Sequence, residues 1–307
     1  MSRTALILAA HGSRVDPTIN APIDEYVAQI DRLGLFDHVA KAFHRGEPTF
    51  AAVLDQLDAD EVTVVPVMTS DGYYCDVVLP RELAKNRRFA RVRLRQTPPV
   101  GVHPGAVAVV ERRARRLILD HDLETEDVCV AVVGHGTPRH PRSRLATVRL
   151  AEALEHAKFC GQVLYAFLEE EPSVQSIVDR SATSAIVVIP FLISGGPHAT
   201  VDIPVRLGVS TNALERWGEG LDGTPGSAPP FHGRVGHRFI VCDSAIGTHP
   251  VIVDIIIDLA REAPPFRTRS ASDGPRPRAG AWGSDGNPFD FSSPMEWKQD
   301  AFSGVNP

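Results

Sequence analysis

Cysteine is scarce in this sequence: Cys75, Cys129, Cys160 and Cys242 are the four in 307 residues, and no two form a CxxC pair. That excludes a zinc ribbon or an iron–sulfur cluster, and points to a reducing, cytoplasmic setting rather than a disulfide scaffold. An excess of positive charge is also missing. With 32 Lys and Arg against 38 Asp and Glu the net charge is −6, which speaks against general nucleic-acid binding. No apolar run approaches the length of a bilayer span, so no membrane partner is expected. The run at residues 5–10 is too short for the core of a secretion signal and reads as a first strand. From residue 264 onward, apolar periodicity itself is absent. Residues 264–307 are rich in Pro, Gly, Ser, Arg and Asp and read as a disordered tail. Its four aromatics, Trp282, Phe289, Phe291 and Trp297, would form a docking patch if they have a role.

What remains is 43% hydrophobic and long enough for two domains of ordinary size, each with its own core. Its organising stretch is Ala131 to Arg139, AVVGHGTPR. An apolar run at 128–133 stops at Gly134-His135-Gly136, as a buried parallel strand ending in a tight turn would. The same arrangement opens the chain, where residues 5–10 lead into His11-Gly12-Ser13-Arg14. The offset is 124 residues, and it also relates Phe43 to Phe167, Pro48 to Pro172, Pro66 to Pro190 and Pro80 to Pro204. Between 36–80 and 160–204 there are 12 identities in 45 ungapped positions, several times what shared composition would give. The chain is a duplicated domain.

Each copy alternates apolar strands with helical patterns. The first copy reads as strands at 5–10, 39–43, 62–68 and 92–95 and helices at 22–33, 49–57, 79–85 and 104–119. The second repeats them from 128 to 262, with helices expected at 142–156, 173–180 and 250–262. Such alternation predicts an α/β fold of two duplicated, doubly wound parallel-sheet domains, 1–123 and 124–263, followed by the tail 264–307. Gly101-Val102-His103-Pro104 recurs as Gly247-Thr248-His249-Pro250 at an offset of 146, so the second copy carries 22 extra residues within 208–236. This insertion, with Trp217 and Phe231, reads either as a surface loop or as a lid over a ligand.

Three polar side chains of the second copy fall at strand ends: His135 after the first strand, Glu169 after the second, His198 after the third. With a strand order of 2-1-3 these ends share one edge of the sheet, where ligands of such folds bind. Two imidazoles and a carboxylate suit a borderline divalent ion such as Co²⁺, Fe²⁺ or Ni²⁺, with coordination positions left for a substrate. The bland alternative is that each histidine is a loop residue, since the chain holds twelve. Asp202 reads as a loop-orienting or capping residue rather than a ligand. His140 and the repeated His103 and His249 read as structural or peripheral.

HGS and HGT after the first strands, Phe167-Leu168-Glu169 with Pro172 after the second, and PFLISGGPHATVDIP at 190–204 together resemble the sirohydrochlorin cobaltochelatase and ferrochelatase family, the class II chelatases, in its long two-copy form. The resemblance covers both copies, roughly residues 4–262. It implies ATP-independent insertion of a divalent metal into a sirohydrochlorin-type tetrapyrrole, and a pseudo-dimer within one chain. The family's two histidines and glutamate fall on His135, His198 and Glu169, as ligands and catalytic groups. The segment before Pro172 is one residue shorter than the family pattern, so Glu170 stands as an alternative to Glu169. No cofactor is implied beyond the metal being inserted, with Co²⁺ first and Fe²⁺ or Ni²⁺ next. The substrate's carboxylates call for cations at the mouth, and Arg139, Arg142 and Arg144, with Arg14 from the first copy, are placed for that.

The first copy keeps His11 opposite His135, but Arg45 stands opposite Glu169 and Tyr74 opposite His198. A guanidinium cannot ligate a cation and a neutral phenol is a poor ligand. Catalysis is therefore expected in the second copy, with His11, Arg45 and Tyr74 forming a wall for the ring. Two rival readings are a phosphatase using Arg-His-Gly, which lacks its arginine here because Ala10 and Gly134 precede the histidines, and a metal or tetrapyrrole carrier without turnover.

Overall fold

The computed structural model describes residues 2–15, 17–137, 142–210, 214 and 230–263. The tail 264–307, Arg139, His140 and most of the insertion, Trp217 included, lie outside the described residues. The first copy runs β1 (Thr4–Ala10), α1 (Ala21–Arg32), β2 (His38–Phe43), β3 (Glu61–Pro66), α2 (Leu79–Leu83), β4 (Arg93–Gln96) and α3 (Pro104–Asp120). The second runs β5 (Val128–Gly134), α4 (Arg142–His156), β6 (Gln162–Phe167), α5 (Ser176–Arg180), β7 (Ala185–Pro190), α6 (Ile203–Arg206), β8 (Phe231–Val235), β9 (Arg238–Cys242) and α7 (Ile252–Glu262).

Two mixed α/β layers result. The first sheet has the order β2-β1-β3-β4, all parallel, and the second β6-β5-β7-β9-β8. The duplication extends to register. Ala5 pairs with His38 and Thr4 with Glu61, while Cys129 pairs with Gln162 and Val128 with Ala185, each 124 positions on. The central strands β1 and β5 are covered on both faces, which is why they read as continuous apolar runs rather than alternating ones.

Three sequence expectations need correction. The helix expected at 49–57 is one tight turn, Val53–Gln56. Thr49 is bridged to Phe43 at the end of β2, and the Phe43 N–H binds the Pro48 carbonyl, so the backbone there is spent on the sheet edge. Ser173 is bridged to Phe167 in the same way, and α5 starts three residues later. Part of the insertion, expected as a loop or lid, is the antiparallel edge strand β8, and Phe231 is buried in the core of the second copy.

The sequence copies are not the packing units. The apolar face of α3 (Ala106, Val110, Ala114, Leu117) packs with Val128, Val130 and Val132 of β5 and Leu150 of α4. In exchange, α7 lays Ile252, Ile255, Ile256 and Leu259 against Leu6 and Leu8 of β1 and Ile23, Tyr26 and Ile30 of α1. Each copy's terminal helix thus completes the other's core. At about 1.5–3 kcal/mol per buried aliphatic side chain, this exchange ties the halves together, and the described residues form one compact unit. Arg113 of α3 is fixed into the second copy by Asp243, at 2.5 Å, and by the carbonyls of Ser244 and Ala245.

Candidate active site

The exchange brings the carboxyl ends of the two sheets together. Two close approaches mark the seam, and they are related by the duplication. Gly72 lies against Ser143, and Gly196 lies against Ile19, residues 124 positions from Gly72 and Ser143 respectively. Such reciprocal contacts are the signature of a two-fold interface, here within one chain. His11, directly after β1, and His135, directly after β5, occupy matching strand ends of the two copies.

In the second copy β5 ends at Gly134, and the chain turns at Gly136 with φ +69°, where a Cβ would strike the side chains of Glu170 and Phe167. The turn fixes His135. Its Nδ1 donates to the Gly136 carbonyl at 2.9 Å, so the bare lone pair is on Nε2. That Nε2 stands 3.8 Å from Oε1 of Glu169. Glu169 is held at this spot by its own N–H, which bonds the His135 carbonyl at 3.0 Å. His198 opens a π-helical turn, His198–Asp202, directly before α6. Its Nδ1 donates to Asp202 Oδ2 at 2.5 Å, again leaving Nε2 free. The rings of His135 and His198 are perpendicular, 5.4 Å apart between centroids.

The neighbouring acids have other tasks. Glu170 accepts the Thr137 N–H at 3.2 Å and sits 3.7 Å from Arg144, which lies over the Phe167 ring. Glu171 accepts the Ser173 N–H. Among the described residues, no group of three or more His, Cys, Asp and Glu is placed to hold a metal ion. His135, His198 and Glu169 share this edge without closing into such a group.

The first copy repeats the scaffold with different side chains. His11 Nδ1 donates to the Gly12 carbonyl at 3.0 Å, and Gly12 has the same φ of +69° as Gly136. Tyr74 opens the matching π-helical turn, Tyr74–Val78. Its ring meets His11 edge-on at 4.8 Å and His44 at 5.0 Å. Burial, then Arg45 and His135, hold His11 below the usual histidine range; burial, then His11 and Arg45, do the same for His44.

The CbiX family matches this chain twice, over residues 5–117 and 129–263. The chain belongs to the CbiX family. A probable sirohydrochlorin cobaltochelatase of Halobacterium salinarum is 31% identical over 279 residues, 84% of this chain and 91% of that protein. Among solved structures, a multi-domain protein of Deinococcus radiodurans, described as similar to chelatases with two additional novel domains, superposes with a TM-score of 0.66 at 24% identity. That match covers 85% of this chain, which spans only 55% of the Deinococcus chain. SirB from Bacillus subtilis, solved with Fe³⁺, gives 0.64 at 20% identity, covering 85% of this chain and 95% of that one. These structures establish a chelatase-like fold. No helix among the described residues is long and apolar enough to cross a membrane.

For this CbiX-family chain the structure brings His135, Glu169 and His198 to one edge, and His11 and Tyr74 to the edge facing it. Arg45 is exposed beside His11, and Arg14 is exposed on the loop after β1. Arg142, expected to meet substrate carboxylates, is instead held by Asp76 and Asp71 of the first copy, because the seam places two carboxylates within its reach. Asp202, expected to cap or orient a loop, orients the His198 ring. His103 and His249 accept the N–H groups of Gly105 and Val251 and so cap the starts of α3 and of the turn leading into α7. Sequence reasoning missed His44. Its signal was its place at the end of β2, beside Arg45.

Proposed function

We propose that this chain inserts a divalent metal, Co²⁺ by preference, into sirohydrochlorin or a closely related tetrapyrrole, without ATP. The observation that carries the reading is the His135–His198 pair, with each Nδ1 bound to an acceptor so that the two Nε2 atoms are left to present themselves beside the Glu169 carboxylate. Neutral imidazoles bind borderline divalent ions, and an incomplete set binds them loosely enough to give them up. The macrocycle would lie in the seam, with Arg45 and Arg14 near its carboxylates and His11 and Tyr74 against its plane.

Insertion exchanges one M²⁺ for two pyrrole N–H protons, with no electron transferred. His135 and His198 first hold the ion. As the four ring nitrogens replace the imidazoles, the freed Nε2 atoms and the Glu169 carboxylate become bases for the two protons, which then pass to water. The open, solvent-facing placement of His135 and Glu169, with side chains 44% and 54% exposed, supports that exit. Glu169 rather than Glu170 takes the acid–base role in this reading, since Glu170 is committed to the loop.

Cobalt is preferred on the name of the Halobacterium relative. Insertion of Fe²⁺ toward a sirohaem-type product is the second reading, favoured by the terminal siroheme enzyme of denitrifying bacteria, whose structure superposes at a TM-score of 0.57 with 21% identity. The test is anaerobic mixing of metal-free sirohydrochlorin, in excess over protein, with Co²⁺, Fe²⁺ or Ni²⁺, followed by absorbance. An enzyme converts many equivalents. Conversion that stops at one equivalent would make the protein a carrier.

A further inference from the structure

The first copy lacks two of the three side chains that matter in the second, yet it has rebuilt an imidazole pair from another strand end. In the second copy the two histidines follow β5 and β7. In the first they follow β1 and β2, because His44 stands where the second copy has the core residue Leu168. The His11 and His44 rings are 5.5 Å apart between centroids, almost the 5.4 Å of His135 and His198. The hydrogen bond from His11 Nδ1 to the Gly12 carbonyl leaves Nε2 as the atom free to ligate. The surrounding charges are Arg45, which acts on both rings, and Arg81 and Glu82, which act on His44 with opposite signs. Arg45 is exposed, so water and salt screen its repulsion of a cation.

We propose that His11 and His44 form a second divalent-metal site, across the seam from the first, which takes up the ion before it passes to His135 and His198. Two imidazoles, with water completing the shell, select borderline transition ions such as Co²⁺, Ni²⁺ and Fe²⁺ over Mg²⁺ and Ca²⁺. They also bind weakly enough to exchange, as a loading site requires. The seam that joins the strand-end loops of the two copies gives the ion its path. The loading role rests on the insertion reading above; the existence of the site does not.

The test is Co²⁺ titration of the full chain by calorimetry and visible absorption, with thermal melts confirming the fold of every variant. The His135→Ala/His198→Ala variant should still bind one Co²⁺. Adding His44→Leu, which copies the second copy's residue at that position, should remove it. The site is overturned if the double variant binds no Co²⁺, or if the triple variant binds it as tightly as the double. In the insertion assay, His44→Leu alone should raise the Co²⁺ concentration for half-maximal rate about tenfold, leaving kcat and the tetrapyrrole KM in place. No change, or a rise in the tetrapyrrole KM instead, overturns the loading role. Wild-type protein that binds Co²⁺ at both pairs and inserts none would sink the insertion reading while upholding this site.

Discussion

Arg142, at the start of α4, reaches across the seam to the Asp76 carboxylate of the first copy, with Asp71 3.7 Å from the same guanidinium. Burial pushes Asp76 up from its ordinary 3.8 to about 6, against the pull of Arg142. The folded chain therefore holds this proton at pH values where the unfolded chain has released it. Asp76's contribution to stability is largest below pH 4 and declines as pH rises toward 6. The Asp76→Asn variant should lack this decline. Melting temperatures of both proteins between pH 4 and 7 should converge or diverge across that window. Parallel curves would show that Asp76 titrates normally.

The His198–Asp202 pair gives a second expectation. Removal of either site imidazole, by His135→Ala or His198→Ala, should abolish metal insertion with the fold intact. Asp202 touches no metal in the proposed site but holds the ring that does. Its loss in Asp202→Ala should lower insertion about 10- to 100-fold. Asp202→Asn retains an acceptor for Nδ1–H and should recover part of that loss, with metal affinity moving in parallel. Equal activity in all three proteins would remove Asp202 from the site. Glu169→Gln should cut kcat sharply, whereas Glu170→Gln should act mainly on the loop around Thr137, seen as lower thermal stability.

Much of this was legible in the residues. The strands β1 and β5 announce themselves as apolar runs closed by His-Gly, and the 124-residue offset carries register and π-helical turns alike. The exchange of α3 and α7 was not legible. An amphipathic pattern records that a face is buried, not which sheet buries it. His44 escaped because its counterpart, Leu168, is a core residue, so comparing the copies at the ligand positions passed it by. Arg142 read as a free cation because nothing local in sequence links it to Asp76, 66 positions away. Asp202 read as a cap because its bond to His198 depends on a π-helical turn that spacing alone does not predict.

The exchanged helix makes a prediction opposite to the order of the sequence. Ile256 belongs to the second copy but is fully buried against the first. Ile256→Ala should cost about 2–5 kcal/mol by the cavity it leaves. Because the core it damages lies on α1 and β1, proteolysis or hydrogen exchange should report loosening there before it reports any in β5 to β7. Loosening confined to the second sheet would contradict the exchange.

Arg113 and Asp243 hold the opposite helix in place, and their burial decides what their removal would do. Their side chains are 12% and 5% exposed. Arg113 also binds the carbonyls of Ser244 and Ala245 and the Ser244 hydroxyl, so its donors are well used. Taking two charges out of water costs several kcal/mol per ion, which their attraction and these hydrogen bonds must offset. The pair is thus a weak net source of stability but a strong constraint. Arg113→Leu leaves the Asp243 carboxylate buried without its cation and should destabilise by about 3–5 kcal/mol. Adding Asp243→Asn removes the stranded charge while keeping an acceptor for the Ser244 N–H. The double variant should therefore be more stable than Arg113→Leu alone, a non-additivity readable from denaturant midpoints. If the double variant is as unstable as the single, or more so, the loss comes from Arg113's packing and carbonyl bonds, and the stranded-charge account fails.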